Sequence, residues 1–281
     1  MIITKIKGGL GNQLFQYATG RAVASHHKLP LKLDLTWFET HKLHNGYRLD
    51  QLSIRADIAT KNQIFKLKGR NNLLFSALRK GGFVKRKSYF KEKRNSYFDA
   101  SIFKHNFIYL NGYWQNELYF SNIRELLLRE LSPINSMNDL GSDYLEHINK
   151  SNSVSLHVRR GDYLNLKNIN VLDVDYYMKA VEYIRKNVEK PTFFIFSDDL
   201  EWCKNNLGFL DSFIYVDRTQ TEIEDLKLMS FCQHNIIANS SFSWWGAWLN
   251  QNPNKTVIAP KSWHLNDPGS RNVILTDWIK V

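Results

Sequence analysis

The chain has 281 residues, 43% of them apolar, which suits two domains of about 100–150 residues each with a substantial core and excludes a disordered chain. Its net charge is +11, and its only cysteines are Cys203 and Cys232. That pair excludes a zinc ribbon or multi-disulfide scaffold and fits a reducing compartment.

The first half opens as β-α-β. An apolar strand over residues 2–6 leads into Gly8-Gly9-Leu10-Gly11-Asn12-Gln13. A helix over 12–26 follows, with Leu14, Phe15, Ala18 and Ala22 on one face, then a strand over 31–35. Three glycines in four positions allow close approach to backbone, and a helix start offers N–H donors. It is not the dinucleotide fingerprint, because Leu14 stands where the third small residue belongs.

Residues 61–94 hold twelve Lys or Arg and one acid, Glu92, so this segment carries the whole net charge. With Phe65, Leu73, Leu74, Phe75, Leu78, Phe83, Tyr89 and Phe90 it is amphipathic as well as basic. It reads either as a solvated lysine-rich face or as a surface for an anionic bilayer. Nucleic acid is not expected, since no groove-entering or base-stacking motif accompanies the charge. A helix over 122–131 is stopped by Ser132-Pro133. The domain boundary is expected within 132–151, which gives residues 1–140 and 141–281, with a bridging helix near 143–149. No run of about 18 apolar residues is present. MIITKIKGGLGNQ lacks signal-peptide features, so the expected location is the cytoplasm, peripheral on the inner membrane face if the basic segment docks there.

The second half alternates strand and helix: strands over 153–158, 192–196, 213–216, 235–238 and 256–259, helices over 175–188 and 200–206. A capping box at Thr221 and Glu224 opens another helix. Such alternation predicts a doubly wound parallel sheet with ligands at the carboxyl ends of its strands, where His157, Ser197 and Ser240 fall.

His157-Val158-Arg159-Arg160-Gly161-Asp162-Tyr163 sits at the first of these ends. Arginine clamps phosphate bidentately at any working pH. Adjacent residues of an extended stretch point oppositely, so one arginine is expected to face a ligand and the other to pair with Asp162 or another acid. Asn239-Ser240-Ser241-Phe242-Ser243-Trp244-Trp245 follows the 235–238 strand. Its serines suit phosphate contact or helix capping, and Trp244, Trp245 and Trp248 suit the core.

The segments GGLGNQLFQYA (8–18), HVRRGDY (157–163), FSDD (196–199) and NSSFSWWGAWL (239–249) resemble, in order, those of bacterial α-1,2-fucosyltransferases. The resemblance implies a GT-B type architecture, two Rossmann-like α/β domains facing a cleft, with the first domain on the acceptor side. It implies inverting transfer of L-fucose from GDP-fucose to O2 of a galactoside in an oligosaccharide or lipid-linked surface glycan. It further implies Arg159, Asp162 and Asn12 as the catalytic set. Arg159 meets the β-phosphate, Asp162 orients the arginine pair, and Asn12 reaches toward phosphate or sugar. His157, Arg160, Gly9, Gly11, Asp198, Ser240, Ser241, Phe242 and Ser243 would bind the nucleotide-sugar. Asp198 is the candidate for guanine, or else an N-cap of the next helix. A fucosyltransferase of other linkage and a non-catalytic carbohydrate-binding protein are the alternatives. The eight tryptophans mostly follow core spacing, which counts against the second.

No cofactor or metal is expected. Asp173-Val174-Asp175 and Asp198-Asp199 have spacings that hold divalent ions elsewhere, but each pair opens a helix, and Arg159 brings charge to the phosphate.

Overall fold

Five strands form one parallel sheet in the first half of the chain: β1 (Ile2–Lys5), β2 (Leu31–Asp34), β3 (Asp57–Ile58), β4 (Tyr89–Lys91) and β5 (Ile108–Asn111), in the order β3-β2-β1-β5-β4. Ile2, Ile3 and Leu33 are fully buried, as a parallel sheet covered on both faces requires. Helix α1 (Leu10–His27) follows β1 and ends at Lys28, whose left-handed backbone returns its N–H to the carbonyls of Ala24 and Ser25. Helix α2 (Lys61–Lys68) starts at a capping box in which Thr60 and Gln63 satisfy each other's backbone N–H. Helix α3 (Arg124–Glu130) is tied to α1 by the buried Glu130 carboxylate, which takes an Arg21 fork at 2.9 Å and the Tyr17 hydroxyl at 2.5 Å.

The structure is a computed structural model, and its described residues are 1–41, 45–69, 88–93, 97–134, 139–165, 170–217, 219, 221–263 and 273–281. Residues 70–87 and 94 of the basic segment lie outside them. The chain divides into two units, Met1–Ser132 and Pro133–Val281. Helix α4 (Asp139–Asn149), which the boundary at 140 cut, therefore belongs whole to the second unit.

That unit is built on β6 (Asn152–Val158), β7 (Pro191–Ser197), β8 (Phe213–Tyr215), β9 (His234–Ile236), β10 (Val257–Ala259) and β11 (Ile279–Lys280), in the parallel order β11-β10-β9-β6-β7-β8. Helix α5 (Val174–Asn187) lays Tyr177, Ala180, Val181 and Ile184 in one core with Val154 and Leu156 of β6 and Phe193 and Ile195 of β7. The short α6 (Leu200–Asn206), α7 (Glu222–Phe231) and α8 (Ser241–Leu249) complete the alternation. Trp244, Trp245 and Trp248 of α8 are fully buried, and the Trp244 indole donates to the Val273 carbonyl at 2.7 Å. Both cysteines are free and buried.

The structure corrects the sequence reading at several elements. Strands β3, β4, β5 and β11 were not anticipated, and three of them have only two or three residues. The helix expected over 122–131 begins as a 3-10 turn, Ser121–Ile123, and is α-helical only over Arg124–Glu130.

Candidate active site

In the second unit, three of the four resembling segments meet at the carboxyl ends of adjacent strands. HVRRGDY continues β6, FSDD closes β7, and NSSF follows β9; β6 pairs with both of the others. Arg159 is held by two carboxylates. Its Nη2 lies 2.6 Å from Asp162 Oδ1, and its Nη1 lies 3.2 Å from Asp198 Oδ2. A guanidinium has five N–H donors; these two pairs leave three for a ligand. Its side chain is 28% exposed, and it also lies 5.4 Å from the Tyr163 ring centroid.

Arg160 has a different environment. Its guanidinium stacks on Trp202, 4.4 Å from the ring centroid, with Nε 3.3 Å from Asp199 Oδ2. Acid pairing therefore does not by itself mark which of the two arginines faces a ligand. Both have acid partners, and Asp162 belongs to Arg159.

Asp198 is not the N-cap of the next helix, one of the two readings the sequence offered. One of its oxygens accepts the Arg160 backbone N–H at 2.9 Å while the other meets Arg159, so the carboxylate staples the Arg-Arg-Gly turn to the end of β7. A Cβ at Gly161 would fall 2.4 Å from Asp198 Oδ2, so only glycine admits this close approach. The N-cap of α6 is Asp199, which accepts from Trp202 N–H at 3.0 Å.

His157 is buried, with its Nδ1 lacking a hydrogen-bond partner among the described residues and its ring 5.7 Å from that of Phe242. Burial first, and then the Arg159 charge, push its imidazole down to about 3, so it is neutral at working pH. Tyr163, to which the sequence gave no role, donates its hydroxyl to the Asn239 carbonyl at 3.2 Å and links the first segment to the third.

The serines separate by burial. Ser240 is the N-cap of α8, its oxygen accepting from Phe242 N–H. The Ser243 hydroxyl is buried and donates to the carbonyls of Ala238 and Ser240, at 3.4 and 3.3 Å. Ser241 is half-buried in the first turn of α8, beside Phe242. Trp202 and Asp199 were missed as partners of Arg160; the signal was an aromatic residue three positions after an N-cap Asp.

The fourth segment lies in the first unit. Gly9 is the extended N-cap of α1, with no side-chain cap, and the left-handed conformation falls on Gly8 at φ 79°. Gln13 is fully buried: it donates to the carbonyls of Gly8 and Gly46 and accepts from Arg48 N–H, fixing the glycine turn to the 46–48 loop. Asn12 is half-buried and accepts from Gln115 Nε2 at 2.7 Å. Gly11 is buried within the first turn of α1.

An α-1,2-colitosyltransferase of Escherichia coli is 35% identical, over 94% of this chain and 92% of its own length. The Escherichia coli O-antigen biosynthesis glycosyltransferase WbnK is 31% identical, over 98% and 99%. Among solved structures, the NodZ α-1,6-fucosyltransferase soaked with GDP-fucose, an enzyme from Bradyrhizobium, superposes with a TM-score of 0.51 at 11% identity, covering 88% of this chain and 91% of NodZ. The fold is thus of the GT-B glycosyltransferase kind. The pattern of glycosyl transferase family 11 matches residues 1–281, and the chain belongs to that family.

Proposed function

We propose that this glycosyltransferase moves L-fucose, with inversion, from GDP-fucose to O2 of a galactoside in a surface glycan. The observation that carries the reading is Arg159 at the carboxyl end of a central strand, oriented by Asp162 and Asp198 with donors left over. As the bond to the anomeric carbon breaks, negative charge grows on the β-phosphate. A preorganised donor aimed at such charge lowers the barrier by about 2.7–4 kcal/mol. In this reading Arg159 meets that charge, Ser241 adds a hydroxyl, and His157 and Phe242 form the apolar wall against the nucleotide. Asn12 serves the sugar or phosphate, and the proton of the acceptor hydroxyl leaves with the departing phosphate. No metal takes part, and Asp173 and Asp199 are helix caps.

The colitosyltransferase relative favours a second reading of the donor. Colitose lacks the hydroxyl that fucose carries at C3, so a site for one sugar could admit the other. Side-by-side assay of GDP-fucose and GDP-colitose over a panel of galactosides tests both readings. Transfer from GDP-fucose with the higher kcat/KM is the expected result, and preference for GDP-colitose would replace fucose as the donor.

The basic segment suggests a partner as well. We propose that the enzyme works in the cytoplasm, in peripheral contact with an anionic membrane that carries its acceptor. Exposed Phe65 on α2, and Lys66 poised 5.5 Å from the ring centroid of the exposed Phe107, support this.

A further inference from the structure

Strands β4 and β5 end side by side, and the residues beyond them form a feature the sequence did not announce. After β5 the chain runs Gly112-Tyr113-Trp114-Gln115, and Trp114 adopts φ 58°. A bulky aromatic residue rarely occupies this left-handed region, and such strain persists only where surrounding contacts impose it. Glu92, just beyond β4, imposes it here: its carboxylate accepts from Tyr113 N–H at 2.6 Å and from Trp114 N–H at 3.0 Å. Gly112 lets the two segments touch, since a Cβ there would fall 2.4 Å from that of Glu92.

The strained tryptophan lines a cavity of about 350 Å³, together with Phe90, Glu92, Tyr97, Phe98 and Tyr119. That volume is within the range of about 300–1,000 Å³ typical of small-molecule sites. Trp114 and Tyr119 are 1% exposed, whereas Tyr97 and Phe98 stand at 61% and 38%. Their rings pack tightly, Tyr119 lying 5.5 Å from Trp114 edge-on and 5.0 Å from Phe98. The Trp114 indole N–H is buried and has no hydrogen-bond partner among the described residues. Buried indoles ordinarily find one, and this unpartnered donor belongs to a residue that lines the cavity. The same loop reaches the resembling segment of α1, because Gln115 donates to Asn12.

We propose that this cavity binds a pyranose ring of the acceptor glycan, an inference that rests on the galactoside-transfer reading above. A galactoside ring has an apolar C–H face that suits Tyr97, Phe98 and Trp114, and hydroxyls that suit an unpaired N–H. Glu92 adds acceptors: each of its oxygens takes one backbone N–H and keeps a further lone pair for a hydroxyl.

The test uses the intact protein with GDP-fucose as donor and lactose as acceptor. Tyr97→Ala and Phe98→Ala remove rim side chains that the fold scarcely uses, and Trp114→Phe removes the indole N–H while keeping a ring. In each variant the KM for lactose should rise about tenfold while the KM for GDP-fucose changes less than about twofold. Unchanged lactose KM in both rim variants would overturn the assignment. A rise confined to the GDP-fucose KM would move the donor here and overturn it too. Saturation-transfer NMR of lactose on the GDP-loaded protein separates this inference from the functional reading. A lactose signal that weakens in Tyr97→Ala supports the cavity even if no fucose is transferred. No signal from the wild-type protein, or one unaltered in Tyr97→Ala, refutes it.

Discussion

Arg159 concentrates the account at the scale of single residues. The HVRRGDY segment suggested Arg159 as a phosphate contact and Asp162 as a partner within the arginine pair, but it could not suggest Asp198. Asp198 lies 39 positions along the chain and reaches Arg159 only because β6 and β7 pair. Arg159→Ala should lower kcat by about 10²–10³, the usual loss for one preorganised donor to developing charge. Arg160→Lys should be milder in turnover, since the lost stack on Trp202 is a packing contact. Circular dichroism at matched concentration checks folded content. An Arg159→Ala enzyme with wild-type turnover would remove this residue from the mechanism.

His157 yields a residue-scale prediction of a different kind. The folded chain holds the imidazole neutral down to about 3, whereas the unfolded chain binds a proton below about 6.5. The unfolded state therefore binds more protons in that window, and this contribution to stability is lost as pH falls from 6.5 toward 3. Asp225 acts with opposite sign. Burial pushes its carboxyl up to about 6, so its contribution is present below about pH 4 and lost as pH rises through 6. The larger shift belongs to His157. Thermal melts should show the midpoint falling by about 5–10 °C on acidification through the window. His157→Gln should flatten that fall, and an equal fall in the variant would refute the linkage.

At the scale of elements, the second unit was legible except for β11, and the first only in its opening β1-α1-β2, for a physical reason. Strands β6 and β7 are seven residues each, β6 alternating Val154, Leu156 and Val158 with polar residues and β7 carrying the apolar run Phe193-Phe194-Ile195-Phe196, so periodicity finds them. Strands β3 and β4 have two and three residues and exposed or half-buried positions, and only pairing with neighbours makes them strands. The Trp114 loop escaped for a related reason. Its conformation is set by Glu92, 22 residues away, and no local propensity encodes it.

Helix capping bears on the reading of the acidic pairs. Asp173 accepts from Tyr176 N–H at 3.2 Å and opens α5. Asp173→Ala should cost about 1 kcal/mol of stability, measured by denaturant unfolding, with turnover kept and unaffected by excess EDTA. Loss of transfer in EDTA that returns with Mg²⁺ or Mn²⁺ would make the acids metal ligands.

For the whole molecule, charge placement is the feature with a consequence for location. No helix among the described residues is long and apolar enough to cross a membrane, while residues 61–94 carry the entire net charge. Liposomes rich in acidic lipid should pellet the protein at low salt and release it as ionic strength rises, because screening shortens the reach of these charges. No sedimentation at low salt would leave the segment a solvated face.

The measurement that bears most directly on the central claim is linkage analysis of the product formed from GDP-fucose and lactose. The account predicts one new sugar, α-linked to O2 of the galactose, with GDP released in equal amount. The rate at which it forms should fall by about 10²–10³ when Arg159→Ala replaces the wild type. A β-linked product, a fucose at another hydroxyl, or wild-type yield from Arg159→Ala would contradict it.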